Sequence, residues 1–226
     1  MAKKRRISMN PTAALSTTLG FRSDARLHEA LPTGLAPLDA LIDGFPRGAI
    51  SEILGPESSG RTTLIHSLLS AATAKLEICA YIDTNDSFDP VSAAAAGVAL
   101  SQLVWIRCGH NTGHALKAAD YLLHAGGFGV VVLDLCQALP RIANGIPISY
   151  WYRFCRAIEN TPTILALIEK QPLAKSCASL MLETKRKKTA WIGKPGFELL
   201  REVELEAVPR KPVRPLTANF KARAIG

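Results

Sequence analysis

No apolar run in this sequence is long enough to cross a bilayer. The longest, Phe128 to Leu139, is interrupted by Asp134, and a spanning helix needs about 20 apolar residues. No apolar signal stretch follows the basic N-terminus, so a cytoplasmic protein is expected. No C-x-x-C pair occurs either. Cys79, Cys108, Cys136, Cys155 and Cys177 lie far apart, the pattern of reduced thiols in a cytosolic protein rather than a disulfide framework. No internal repeat is visible.

Acidic residues are absent from 209–226, and Asp24 is the only one in 1–26. Those two ends carry five and six Lys or Arg, respectively, while the other 182 residues hold sixteen basic against eighteen acidic. The formal charge of +8 therefore sits on the ends and in the run Lys185-Arg186-Lys187-Lys188. Such clusters attract nucleic acid by a sequence-blind, salt-sensitive attraction; a solvated, solubilising fringe has the same composition. With 226 residues, 48% of them hydrophobic, one sizeable core is expected. The organisation expected is a disordered basic segment over 1–26, one domain over 27–208, and a basic, proline-containing tail over 209–226.

The stretch that organises the rest is Gly55-Pro56-Glu57-Ser58-Ser59-Gly60-Arg61-Thr62-Thr63. A β-leaning run, Ala49 to Leu54, precedes it; Leu64, Ile65, Leu68, Leu69 and Ala72 recur after it at helical spacing. Strand, glycine loop and helix in that order suit phosphate binding. Glycines let backbone N–H groups curl around the anion, and the helix N-terminus adds partial positive charge. Thr62 is placed to offer a hydroxyl to nucleotide-bound Mg²⁺. The pattern G-x-x-x-x-G-K-[ST] is met except that Arg61 stands where lysine belongs. A guanidinium also pairs with phosphate but is bulkier and planar. The alternative is a Gly/Ser turn ahead of an ordinary helix.

Further along, Leu31 to Gly44 reads as a turn, a short helix and a glycine stop, and Phe45 to Gly48 as a second turn. Ile78 to Asp83 is a buried strand, and Asp89-Pro90 caps an alanine-rich helix through Ala99. Leu103 to Arg107 is a strand; Asn111-Thr112 starts a helix that Gly126-Gly127 ends. Gly129 to Asp134 is apolar throughout, as in a parallel sheet covered on both faces. Its closing Asp134 is suited to hold Mg²⁺ through water beside a phosphate loop, and a turn cap is the simpler role. Ile148 to Ile158 reads as a helix whose Trp151 and Phe154 serve the core, although interleaved Arg153 and Arg156 also suit base stacking and phosphate contact. Thr163 to Glu169 and Cys177 to Glu183 are strands, the latter leading into the basic run. Arg201 to Val208 alternates as a one-sided strand near an edge. Prolines 209, 212 and 215 argue for an extended end, with Leu216 to Phe220 a candidate last strand. Cys108, His110 and His114 are a weak metal set, better read as polar turn residues, and His66 as a packed or surface histidine.

These elements predict a three-layer α/β nucleotide-binding domain with a mainly parallel central sheet. The sequence resembles the ATP-binding core of the RecA family over roughly 27–208. The resemblance lies in Thr33-Gly34 with Leu38-Asp39, the Gly-Pro-Glu-Ser-Ser-Gly-x-Thr-Thr-Leu loop at 55–64, Tyr81-Ile82-Asp83 through Asp89-Pro90, Thr112-Gly113, and Val131 to Asp134. It implies a RecA-like P-loop domain binding ATP and Mg²⁺, with Gly55 through Thr63 and Asp89 as nucleotide contacts and Thr62 and Asp134 at the metal. Arg141, Arg153 and Lys185 to Lys188 become candidate DNA contacts. The segments matching the two DNA loops, after Asp134 and Glu169, are short, and a RecA C-terminal domain is not expected.

Departures fall at the chemistry. The family's water-activating glutamate aligns with Asn85, and an amide takes no proton at neutral pH. Adjacent Asp86 is shifted by one residue. The family's γ-phosphate-sensing glutamine aligns with Glu169, and a carboxylate facing phosphate would repel it. With Arg61, these changes predict a protein that binds nucleotide and hydrolyses it poorly or not at all. Small RecA-like chains of this kind resemble the ImuA group, some of whose relatives carry SulA-like labels. That resemblance implies a DNA-damage adaptor working with an error-prone polymerase, other mutasome proteins or RecA, with self-association through a RecA-type surface. A recombinase-type, DNA-dependent ATPase is the alternative.

Overall fold

In a computed structural model, the structure describes residues 29–194 and 197–223. The basic segment 1–26 lies outside the described residues. Helix α1 (Ala36–Ile42) starts on Pro37 and ends on a left-handed Asp43. Asp39 holds the turn before it, accepting from the backbone N–H groups of Thr33 (2.7 Å) and Gly34 (2.8 Å). A short antiparallel pair, β1 (Ala30–Leu31) with β2 (Phe45–Pro46), flanks α1.

The main sheet has eight strands in the order β10-β9-β8-β3-β7-β6-β4-β5. These are β3 (Ala49–Leu54), β4 (Cys79–Asp83), β5 (Leu103–Arg107), β6 (Val130–Asp134), β7 (Ile164–Glu169), β8 (Ala178–Ile192), β9 (Leu199–Lys211) and β10 (Ala218–Arg223). From β8 to β5 all neighbours run parallel; β9 and β10 are antiparallel additions. The α/β fold with a mainly parallel sheet is as expected from the sequence.

Apolar strands here supply two cores at once. Val130 and Val132 of β6 face one core and Val131 and Leu133 the other, as strand alternation requires. The first face is covered by α1, α2 (Arg61–Thr73) and α3 (Pro90–Ala95). The second is covered by α4 (Thr112–Ala125) and α6 (Ile148–Ile158), with the short α5 (Pro140–Asn144) at its edge. Trp151 and Phe154 are fully buried and anchor α6, each contributing on the order of 2–3 kcal/mol of apolar burial. Asn111 caps α4 by accepting from the His114 backbone N–H, and Gly126 ends it.

Three expectations are corrected. Helix α3 stops at Ala95 rather than Ala99, with Gly97 in a left-handed turn. The basic run lies within β8 rather than beyond it. The stretch from 209 is not a tail: Pro209 to Lys211 belong to β9, and β10 buries Ala218 and Phe220 in the first core. The candidate strand at Leu216 to Phe220 is met by β10, in which Ala218 and Phe220 alternate inward.

Candidate functional site

Chain direction sets the site. β3 ends at Leu54, the loop turns at Gly55 toward the first face, and α2 begins at Arg61. Gly55 has φ +151°, and a Cβ there would meet Ser59 Oγ and the Thr184 carbonyl, each at 2.6 Å, so only glycine fits. Thr184 Oγ1 donates to the Leu54 carbonyl (2.9 Å), which makes Ser59 the donor in its 2.8 Å bond to Thr184. Ser59 is therefore committed to the scaffold. Gly60 is the N-cap of α2, left-handed and without a side-chain cap. The first-turn N–H groups of such a helix have no intrahelical partner and suit an anion.

A cleft of ≈ 220 Å³ opens here, lined by Ser58 to Thr63 with Val203 and Leu205 of β9 and Ala222 of β10. A second hollow of ≈ 460 Å³ shares Thr62, Thr63 and Ala222 and continues to His66 and Ser92. Thr62 is exposed at the junction. Asp89 is the N-cap of α3: it accepts from the backbone N–H groups of Val91 and Ser92, each at 3.1 Å, and from the Ser92 hydroxyl. Those Ser92 bonds hold its carboxyl below the usual range. His66 is buried beside Phe88, with Nε2 unpaired, and burial lowers its pKa.

Arg61 departs most from the expected geometry. Its side chain is buried, 7% of the residue exposed, and Nη1 donates to the Glu169 backbone carbonyl at 2.8 Å. Nη1 is thus tied to the end of β7, while Arg61 remains one of the residues lining the cleft. Glu169 also differs from expectation. Alternation along β7 sends its carboxyl to the second face, away from α2, where Glu52 of β3 lies alongside. Burial, reinforced by Glu52, pushes its pKa well above the carboxylate range, and its place on the second face turns it away from a phosphate held at the loop. Glu52 Oε1 accepts from the backbone N–H groups of Leu173 (2.8 Å) and Ala174 (2.5 Å).

Asn85 Oδ1 lies 3.3 Å from His110 Nδ1. Asp86 is bound to Arg107 at 2.9 Å, directed elsewhere, as its shifted position suggests. Asp83 is a buried organiser: it accepts from the N–H groups of Ser87 (2.9 Å) and Phe88 (3.0 Å) and from Trp105 Nε1 (3.2 Å). Asp134 faces the α2 side but is already engaged by the Tyr81 hydroxyl (2.8 Å) and the Cys136 N–H (2.9 Å). No group of three metal-ligating side chains occurs among the described residues.

The candidate DNA residues lie on three separate elements. Arg141 is on α5 and Arg153 on α6, where it pairs with Asp120. Lys185 pairs with Glu183 (3.1 Å) and Lys187 with Glu206 (3.2 Å). Arg186 and Lys188 are exposed without ion pairs among the described residues. Glu52 and Thr184 went unnoticed in the sequence, and Leu205 was read only as an inward residue of its strand. A glutamate inside Ala-Ile-Ser-Glu-Ile-Leu was the signal for the first, and inward alternation with Leu180 and Leu182 for the second.

A family model described as the RecA N-terminal domain matches residues 14–144, more than half of the chain. The chain belongs to the RecA N-terminal domain family. Protein RecA of Chloroflexus aurantiacus is 40% identical over 124 residues, 54% of this chain and 35% of that protein. Protein RecA of Rhodospirillum rubrum is 41% identical over 124 residues, 54% of this chain and 33% of its own length. Protein RecA of Borrelia duttonii is 40% identical over 113 residues, covering 49% and 31%. The chain thus spans about a third of the length of these RecA relatives. Among the described residues, no helix is long and apolar enough to cross a membrane.

Proposed function

We propose that this RecA-family chain binds ATP at its phosphate loop, hydrolyses it poorly or not at all, and serves as an adaptor in the DNA-damage response and translesion mutagenesis. The observation that carries this reading is the bond from Arg61 to the Glu169 carbonyl, which engages the loop's cationic side chain with the end of β7. The glycine turn, the uncapped N-terminus of α2 and the adjoining hollow fit a nucleotide's phosphates and sugar-base portion. Loop N–H groups from Ser58 to Thr63 would hold the phosphates, with Asp89 at the α3 end. Thr62, with Asp134 through water, would hold Mg²⁺, which when bound neutralises phosphate charge.

Hydrolysis needs a base near the attacking water and a cation on the transferred phosphate. Asn85 offers an amide, and Arg61 is engaged elsewhere. In this reading, nucleotide sets a conformation that presents surfaces to an error-prone polymerase, a mutasome protein or RecA, and DNA contact is a secondary, salt-sensitive attraction.

The test is sedimentation of the chain with RecA and with an error-prone polymerase, with and without ATP, alongside phosphate release on single-stranded DNA. Complex formation without phosphate release supports the adaptor. Phosphate release stimulated by DNA, without complex formation, contradicts it and favours a recombinase-type ATPase.

A further inference from the structure

The loop's own cation, Arg61, is buried and bonded to the Glu169 carbonyl, and the neighbouring strand offers another. Leu180 and Leu182 of β8 pack in the core on the α2 side, and Thr184 reaches Ser59 of the loop at 2.8 Å. Alternation places Arg186 on that same face, about 6.7 Å further along the strand and past the loop. The pairing with β9 agrees. Arg186 stands directly opposite Leu205, and Leu205 lines the cleft against Gly60; directly opposed residues share a face. Lys185 and Lys187 are taken up by Glu183 and Glu206. Arg186 is exposed, and its side chain makes no hydrogen bond or ion pair among the described residues.

We propose that Arg186 engages the terminal phosphates of a nucleotide held by the 55–63 loop, replacing in space the cation that Arg61 does not supply. This rests on the reading of that loop as a nucleotide site. A guanidinium is always charged and matches phosphate oxygens through paired N–H donors. Coming from β8, it ties the β8–β9 hairpin to phosphate number: a triphosphate reaches it and a monophosphate does not. The same hairpin carries Leu205 and Val203 in the cleft wall, so the contact reports nucleotide state to the sheet's outer strands.

The test is fluorescence titration of wild type, Arg186→Ala and Lys188→Ala with labelled ATP, ADP and AMP, with thermal shift by inorganic tripolyphosphate as a second readout. Lys188 is opposite Glu204 on the other face, so its loss removes the same charge without touching the cleft. Wild type is expected to bind ATP over ADP over AMP. Arg186→Ala should weaken ATP binding roughly ten- to a hundredfold, leave AMP binding unchanged and lose the tripolyphosphate shift, with Lys188→Ala following wild type. An intact ATP preference in Arg186→Ala, or an equal loss in Lys188→Ala, overturns the proposal. A wild type that binds none of the nucleotides overturns the loop reading itself, and this assignment with it.

Discussion

The Arg61 guanidinium donates to the Glu169 backbone carbonyl at 2.8 Å, joining the first residue of α2 to the last residue of β7. At this position a long cation braces the scaffold rather than the ligand. Removing it leaves a buried carbonyl unsatisfied. Arg61→Ala should lose about 1–3 kcal/mol in urea unfolding, and its melting temperature should fall by roughly 2–4 °C per kcal/mol. Unchanged stability would mean that the bond contributes nothing.

Glu169 carries a pH signature. An unfolded glutamate ionises near 4.5, whereas folded Glu169 ionises well above that. The folded state therefore holds the proton more tightly, and the resulting stabilisation is full below pH 4.5 and lost as pH rises toward the folded pKa. Glu169→Gln removes this dependence. Urea midpoints followed from pH 4.5 toward neutrality should fall less steeply in the variant, by at most about 1.4 kcal/mol per pH unit. Parallel profiles would contradict a raised Glu169 pKa.

Gly60 packs against Leu205 at φ +91°. Gly60→Ala combines backbone strain of about 1 kcal/mol with a clash, and should lower the melting temperature measurably. Adding Leu205→Ala should restore the packing share but not the strain. No rescue in the double variant would show that β9 does not seat on the loop.

Tyr81 donates to Asp134 at 2.8 Å inside the sheet's end. Tyr81→Phe should cost about 1.5–3 kcal/mol, as expected for a hydrogen bond to a charged group. Chemical denaturation measures it, and a cost near zero would place Asp134 free for another partner.

Most of the fold was legible because the signals were local. Val130 to Asp134 reads as a doubly covered strand, and Asn111 and Gly126-Gly127 bracket α4 in the letters alone. The phosphate loop was legible from its two glycines and the periodicity after it. What sequence spacing does not carry is direction across chain-distant elements. Arg61 has a partner 108 positions away, and Ser59 is held by Thr184, 125 away. Glu169 occupies an aligned position, yet alternation along β7 turns its carboxyl to the opposite face. The last two strands were read in part, as Arg201 to Val208 and a candidate at Leu216 to Phe220; the prolines between them suggested an extended end and concealed that β9 runs on to Lys211 and that β10 pairs with it.

The central claim is that the loop holds nucleotide without turning it over. Equilibrium binding of a fluorescent ATP analogue with Mg²⁺, with phosphate release followed in the same sample with and without single-stranded DNA, tests it most directly. The account predicts saturable binding and no DNA-stimulated release. Rapid phosphate release on single-stranded DNA would contradict it, because it would require a general base, which the Asn85 amide does not provide.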